Sequence, residues 1–371
     1  MSSSPAVAQT SNREVRFEVA YATFREFINE KWRAASLALD HPVGPAAAAE
    51  LDSLLGPWAD RPIGADCAYP SFVSRDGFPV EFSVSWRRGR PELRVLFEPG
   101  GDAPTPRAAQ EAGRALTRTL AARPGVSLER YLAVEDLFVV DEPESFRPTV
   151  WLSMSYRPGA APGYKVYLNP QARGVPAVPE VMCAAMSRLG LARAWDRVAR
   201  SYDALAEAGH QLEFFALDLA DSPLARVKVY FRHVGLVDLD EVASLARRHD
   251  PGVLEPAYRD VYGSPALPDN EPMTCLAFRS GVDVPDEANV YLRLPGAARD
   301  EREAADRVAA VLRRYGVDPG RHRAVAAALA RPGTAPGRHE LLSVRATGSR
   351  PDLGVYFRFD VYGRPVPGLH A

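Results

Sequence analysis

The chain has 371 residues, 46% hydrophobic and 25% charged, with a formal net charge of −2: the balance of an ordinary globular protein, with no overall basic bias toward nucleic acid. No apolar run approaches the roughly 18 residues of a membrane span, and the opening "MSSSPAVAQTSNRE" lacks the apolar stretch of a signal peptide; residues 1–14 read as a disordered tail and 15–371 as a single domain. Cys67, Cys183 and Cys275 lie far apart with no CxxC pair, as expected of buried thiols in a reducing cytoplasm.

In chain order, "VAYATFREFINEKWRAASLAL" predicts an amphipathic helix that buries Trp32. A strand pair follows, "PVEFSVSW" with "ELRVLFEP", then the helical "TPRAAQEAGRALTRTLAA". The second pair is "VWLSMSY" with "YKVYLNP", followed by helical patterns in "VPEVMCAAMSRLG" and "RAWDRVARSYDAL", the latter burying Trp195. Next come "LEFFALDLA" with "ARVKVYF" and the helical "DLDEVASLARRH". The fourth pair, "MTCLAFRS" with "NVYLRLP", precedes "ARDEREAADRVAAVLRRYGV" and "GRHRAVAAALA"; the fifth is "ELLSVRA" with "GVYFRFDVY".

The second strands recur about every 60–70 residues, room for a hairpin plus one or two helices. The expected fold is α+β: one closed ten-stranded antiparallel barrel of about five α-β-β-α repeats, helices outside and the site in the lumen. Closure removes edge strands, and about ten strands leave an open interior.

Side chains two apart share a face of a strand, which says what the lumen contains. Val166, Val229, Val290 and Val355 alternate with Lys165, Lys228, Tyr291 and Tyr356. The apolar face belongs against the helices, which leaves the basic and phenolic face inside. The lumen then collects Arg94, Lys165, Arg226, Lys228 and Arg293, with Arg345 and Arg358. Like charges about 4 Å apart repel by several kcal/mol at an effective dielectric of about 20, so such a cavity needs water or an anion. A diphosphate suits it. Tyr167, Tyr230, Tyr291 and Tyr356 each sit two residues from a cation; phenols offer a π face to a carbocation and a hydroxyl to a phosphate. Cations for a leaving pyrophosphate and rings around a developing cation are what ionising an allylic diphosphate requires. Glu81 shares the inward parity of Ser83 and Ser85 and is the candidate proton acceptor, while Asp218 is placed to orient a lysine or arginine.

A solvated sheet face would account for any one of these strands; five with the same parity argue against it. "DEPES" and "DLDEV" lack the paired-aspartate spacing of magnesium-diphosphate sites, and there is no GxGxxG, GxxxxGK or HExxH motif. The seven histidines, His210, His233 and His249 among them, are expected on the surface.

"RVLFEP", "KVYLNP", "LDLADSPLARVKVYF", "NVYLRLP" and "GVYFRF", in this order and spacing, resemble the aromatic prenyltransferases of the dimethylallyltryptophan synthase family, its bacterial members in particular, from about Thr23 to about Tyr362. The resemblance implies a prenyltransferase barrel that moves a dimethylallyl group from its diphosphate to an indole, with no cofactor and no metal needed for catalysis. It implies small-molecule partners, no nucleic acid, no membrane and a cytoplasmic location. It assigns Glu81 as proton acceptor, Arg94, Lys165, Arg226 and Lys228 as diphosphate-binding cations, and the four tyrosines as a shield. Arg293 and Arg345 are taken with the cations, and Trp151, Ser153 and Asn289 with the acceptor pocket; Asn289 falls where many members have Gln or Lys. Two departures bear on the acceptor. Glu213 stands where fungal tryptophan enzymes tend to have Arg, and "VWLSMSY" offers Trp151, Ser153 and Ser155 where some members have a catalytic Lys. The alternatives are a phenolic or tyrosine acceptor, and a barrel that binds isoprenoid diphosphates without chemistry.

Overall fold

The computed structural model describes residues 21–87, 89–143, 149–234, 238–263, 270–330, 335–347 and 350–366; the tail expected at 1–14 lies outside them. Five hairpins form: β1 (Val80–Arg87) with β2 (Arg90–Phe97), β3 (Val150–Tyr156) with β4 (Gly163–Leu168), β5 (His210–Asp218) with β6 (Val227–His233), β7 (Met273–Phe278) with β8 (Glu287–Arg293), and β9 (Gly337–Arg345) with β10 (Asp352–Phe359). Every strand pairs antiparallel with its neighbours in chain order, and β1 also pairs with β10, closing the barrel. That seam sets Glu81 opposite Arg358 and Ser83 opposite Tyr356. The α+β barrel expected from the alternation is the observed fold.

Helices flank the hairpins. They are α1 (Phe24–Ala38), α2 (Pro45–Leu55), α3 (Pro106–Thr119), α4 (Glu129–Phe138), α5 (Val178–Arg188), α6 (Ala192–Ala199), α7 (Tyr202–Glu207), α8 (Leu239–Ala243), α9 (Pro251–Tyr262), α10 (Glu301–Arg314) and α11 (Gly320–Leu329). Their ends follow local chemistry: Thr23, Thr105 and Asp300 accept from backbone N–H groups of the first turns of α1, α3 and α10. The sequence reading missed α2, α4 and α9. In α9 Pro251 sits in the first turn, where its missing N–H has no partner to lose, and Pro256 lies inside the helix. The single helix expected over 193–205 is divided into α6 and α7. No helix among the described residues is long and apolar enough to cross a membrane.

Two separate apolar clusters result. One lies between barrel and helices and holds Trp32, Phe82, Val95, Val166, Trp195, Val229, Val290 and Phe357. The other is inside the barrel: Phe72, Leu96, Trp151, Tyr167, Phe214, Tyr230, Met273, Tyr291 and Leu341, with Tyr356 packed against it. The loop carrying Phe72 reaches the lumen through a tight fold at Gly77, whose φ is +84°; a Cβ there would lie 2.9 Å from Pro70 Cα.

Two expectations fail. Cys183 is exposed and Cys67 half-buried, leaving Cys275 as the buried thiol. His210, His233, His322 and His339 are buried rather than on the surface. They can be, because they satisfy each other: His210 Nδ1 meets His233 Nδ1 at 2.6 Å and His322 Nε2 meets His339 Nε2 at 2.7 Å. Glu241 receives the outer nitrogen of the first pair, Glu301 that of the second. With its glutamate, each pair ties strands of the barrel to a helix.

Candidate active site

At one end of the lumen the register of β4 and β5 sets Lys165 opposite Asp218. Asp218 Oδ1 forms an ion pair with Lys165 Nζ at 2.8 Å, and its Oδ2 accepts from Arg226 Nε at 2.8 Å. Lys165 and Arg226 hold the Asp218 carboxyl well below the usual carboxylate range despite its burial. Asp218 therefore stays ionised and fixes two cations that would otherwise repel. Arg345 is held the same way, by Glu287 at 3.0 Å and by Asp352. Lys228, 7% exposed, instead has its ammonium 5.2 Å from the centre of the Tyr230 ring. Burial pushes Lys228 down to about 8, Arg226 and Arg94 adding to the fall. These cations, with Arg94, Cys275 and Asn289, line a hollow of about 500 Å³.

One step along the barrel the four tyrosines form a continuous arc. Ring centres lie 6.1 Å apart for Tyr167 and Tyr230, 5.9 Å for Tyr230 and Tyr291, and 5.6 Å for Tyr291 and Tyr356. They come from β4, β6, β8 and β10. Between them the register of β5, β7 and β9 supplies small residues: Ala216 opposite Tyr167, Cys275 opposite Tyr230, Ser343 opposite Tyr291. Alternating large and small side chains let the rings touch across the intervening strands. Burial pushes Tyr167 up to about 12 and raises Tyr230 and Tyr291 well above the ordinary tyrosine value, so these three remain phenols able to donate to a phosphate oxygen.

Beyond the arc lies an apolar hollow of about 720 Å³, walled by Phe72, Leu96, Trp151, Phe214, Met273 and Leu341. It shares Arg94, Tyr291 and Tyr356 with the cationic hollow, so the two meet at the tyrosines. Trp151 packs 5.1 Å from Phe214 and is stacked with Phe72 at 6.4 Å. Glu81 opens into this space, 8% exposed. Burial pushes its carboxyl up to about 7, against the pull of Arg358 and with a push from Glu340. Such a group is poised to take a proton near neutral pH.

The structure brings together the cations Arg94, Lys165, Arg226, Lys228 and Arg345 and the four tyrosines expected from the sequence. Arg293 does not join them: it lines the apolar hollow and pairs with Glu340. Asn289, expected with the acceptor, lines the cationic hollow, and Ser153 lies beside the Tyr167 phenol, opposite Lys165. Parity assigned all three to the lumen correctly but says nothing of height along the barrel axis. Arg232 was missed. It reaches the apolar hollow with Glu213, their charged groups 3.5 Å apart, and also bonds Glu271 at 2.8 Å. A bulge at Leu212–Phe214 makes this possible by turning both Glu213 and Phe214 inward, which strict alternation forbids. Among the described residues no group of three or more His, Cys, Asp or Glu side chains is arranged to hold a metal ion.

A closed antiparallel barrel with a cationic and an aromatic chamber meeting at a ring of tyrosines is a prenyltransferase barrel. The family model for tryptophan dimethylallyltransferase matches residues 50–326, and the chain belongs to that family. A 6-dimethylallyltryptophan synthase from Micromonospora olivasterospora, solved in complex with DMASPP and Trp, is 31% identical with a TM-score of 0.80, over 94% of this chain and 100% of that one. A 5-dimethylallyltryptophan synthase from Streptomyces coelicolor, also with DMASPP and Trp, is 29% identical with a TM-score of 0.78, over 93% and 98%. The prenyltransferase PriB, in ternary complex with L-tryptophan and dimethylallyl thiolodiphosphate, is 29% identical with a TM-score of 0.80, over 92% and 97%.

Proposed function

We propose that this enzyme transfers the dimethylallyl group of dimethylallyl diphosphate to the indole ring of tryptophan or a tryptophan-derived compound. The observation that carries the reading is the shared wall: Arg94, Tyr291 and Tyr356 face both hollows, so a diphosphate in one lies end-on to an aromatic ring in the other. Arg94, Lys165, Arg226, Lys228 and Arg345 bind the diphosphate. The allylic C–O bond breaks and its electron pair leaves with pyrophosphate, whose growing charge these cations stabilise. They carry out the charge neutralisation that a magnesium ion performs elsewhere, which supports a metal-independent reaction. The tyrosine faces surround the allyl cation and keep water from it.

The indole lies among Trp151, Phe214 and Leu341, its N–H donated to Glu81. A ring carbon attacks the cation, forming the C–C bond, as Glu81 takes the N–H proton. The attacked carbon then gives its own proton to the departing pyrophosphate or to water, and Glu81 returns its proton to the nitrogen as the ring regains aromaticity. Arg232 beside Glu213 suits the carboxylate and ammonium of a free amino acid, which favours tryptophan itself. The test is incubation with labelled dimethylallyl diphosphate and a panel of tryptophan, tryptophan-containing peptides, tyrosine and simple phenols, with and without EDTA. A monoprenylated indole formed equally in both arms is expected. Prenylation of phenols alone, or activity lost to EDTA and restored by magnesium, would overturn the reading.

A further inference from the structure

Outside the cationic hollow, toward solvent, lies a second space of about 790 Å³ that shares Arg87, Arg94, Lys165 and Arg226 with it. Its walls are the end of β1, the β3–β4 hairpin and the connection from β5 to β6. Five cations face it, the fifth being Arg157, against the carboxylates of Glu92 and Asp218. Asp218 is committed to Lys165 and Arg226, and Glu92 is shared between Arg94 at 3.6 Å and Arg87 at 3.9 Å. Among the described residues Arg157 forms no ion pair.

The cations are graded by depth. Side-chain exposure rises from 9% at Lys165 and 11% at Arg94 to 35% at Arg87, and Arg157 is half-buried at the rim. The opposite end of the lumen is occupied by Phe72 and Val73, both buried. A diphosphate therefore passes through the cationic end, and leaving means giving up several charge-assisted bonds before water replaces them.

We propose that Arg87 and Arg157 form an outer anion site that takes the diphosphate between solvent and the inner cations, for the arriving donor and for departing pyrophosphate alike. This rests on the proposed prenyl transfer. An intermediate site of this kind lowers the barrier in both directions, so it changes rates and leaves the inner equilibrium almost unmoved. Arg87, with Arg226, Arg94 and Arg345 as neighbours, hands the anion inward; Arg157 meets it first.

The experiment is stopped-flow binding of dimethylallyl thiolodiphosphate and, separately, of inorganic pyrophosphate, followed by intrinsic tryptophan fluorescence. The proteins compared are the wild type, Arg157→Gln, Arg157→Glu and the Arg87→Gln/Arg157→Gln pair, each checked for an unchanged Tm. In the double variant, association and dissociation rate constants for both ligands are expected to fall together by about tenfold, with Kd moving less than threefold. The dependence of the association rate on ionic strength flattens, and Arg157→Glu slows association further. Unchanged association rates overturn the proposal; so does a Kd that rises with dissociation alone, which would make these residues inner ligands. Should the thiolodiphosphate fail to bind the wild type while pyrophosphate binds with Arg157-dependent rates, the outer site stands and the donor assignment falls.

Discussion

Glu81 Oε2 lies 3.5 Å from Arg358 Nε, near enough to be steadied and too far for a strong hydrogen bond. The pair spans the seam between β1 and β10, and the carboxyl's rise to about 7 is the net of burial over that attraction. With Glu81 as base, kcat/KM rises with pH through about 7. Glu81→Gln should lower turnover by on the order of 10²-fold or more with an unchanged circular dichroism spectrum. Arg358→Gln removes the attraction, so the acidic limb should move to higher pH. A limb that stays put in Arg358→Gln separates Glu81 from the titration.

Lys165→Ala and Asp218→Asn test the cation frame from two sides. The first removes a diphosphate ligand and should cost on the order of 10²-fold in kcat/KM. The second leaves the cations present but loose, so kcat should fall about tenfold while donor affinity changes little. Isothermal titration with the thiolodiphosphate, read beside steady-state rates, checks the split. Equal losses of affinity in both variants would mean that Asp218 does more than hold Lys165 and Arg226.

At Gly354 a Cβ would come 2.6 Å from Ser343 Oγ and 3.3 Å from the Tyr356 ring. Gly354→Ala therefore forces the Ser343 hydroxyl aside and crowds the Tyr356 ring by a few tenths of an ångström within the arc. The expected result is a larger share of donor lost as dimethylallyl alcohol, the product of water capture, with the fold intact. Product analysis by chromatography decides it; an unchanged ratio of alcohol to prenylated product would deny the tyrosines a shielding role.

Arg232 is the predicted contact for the acceptor carboxylate. Arg232→Gln should raise KM for tryptophan roughly tenfold, the effect of a lost charge-assisted bond, and leave KM for tryptamine nearly unchanged. A rise for both acceptors would assign Arg232 a role in the shape of the pocket instead.

The two histidine pairs set an acid limit on stability. Burial, then the neighbouring histidine, depresses His233 and His322 to about 3, below the ordinary value of about 6.5. The unfolded chain takes up these protons first, so stability is full above about pH 6.5 and is lost on acidification toward 3. Each should cost about 2 kcal/mol at pH 5. Chemical denaturation at pH 7 and pH 5 measures this, and His233→Asn should show the smaller drop between the two pH values.

Period-two alternation was legible in single strands because a side chain's face depends only on its neighbours' backbone. With amphipathic helices claiming the apolar face, parity alone put Glu81, Lys165, Arg226, Lys228 and the four tyrosines inside. The sequence by itself therefore determined the barrel and the basic, phenolic character of its interior. Height along the axis was another matter. It depends on how far each strand slides against the next and on where the seam between β1 and β10 falls, relations between segments far apart in the chain. Only the tertiary structure separated Arg293 from Lys228, moved Asn289 to the diphosphate side, and turned Glu213 inward through the bulge on β5. It alone chose the partners as well: Asp218 for Lys165 and Arg226, one histidine for another. A buried charge or imidazole is tolerable only beside its complement, and the fold decides which complement arrives.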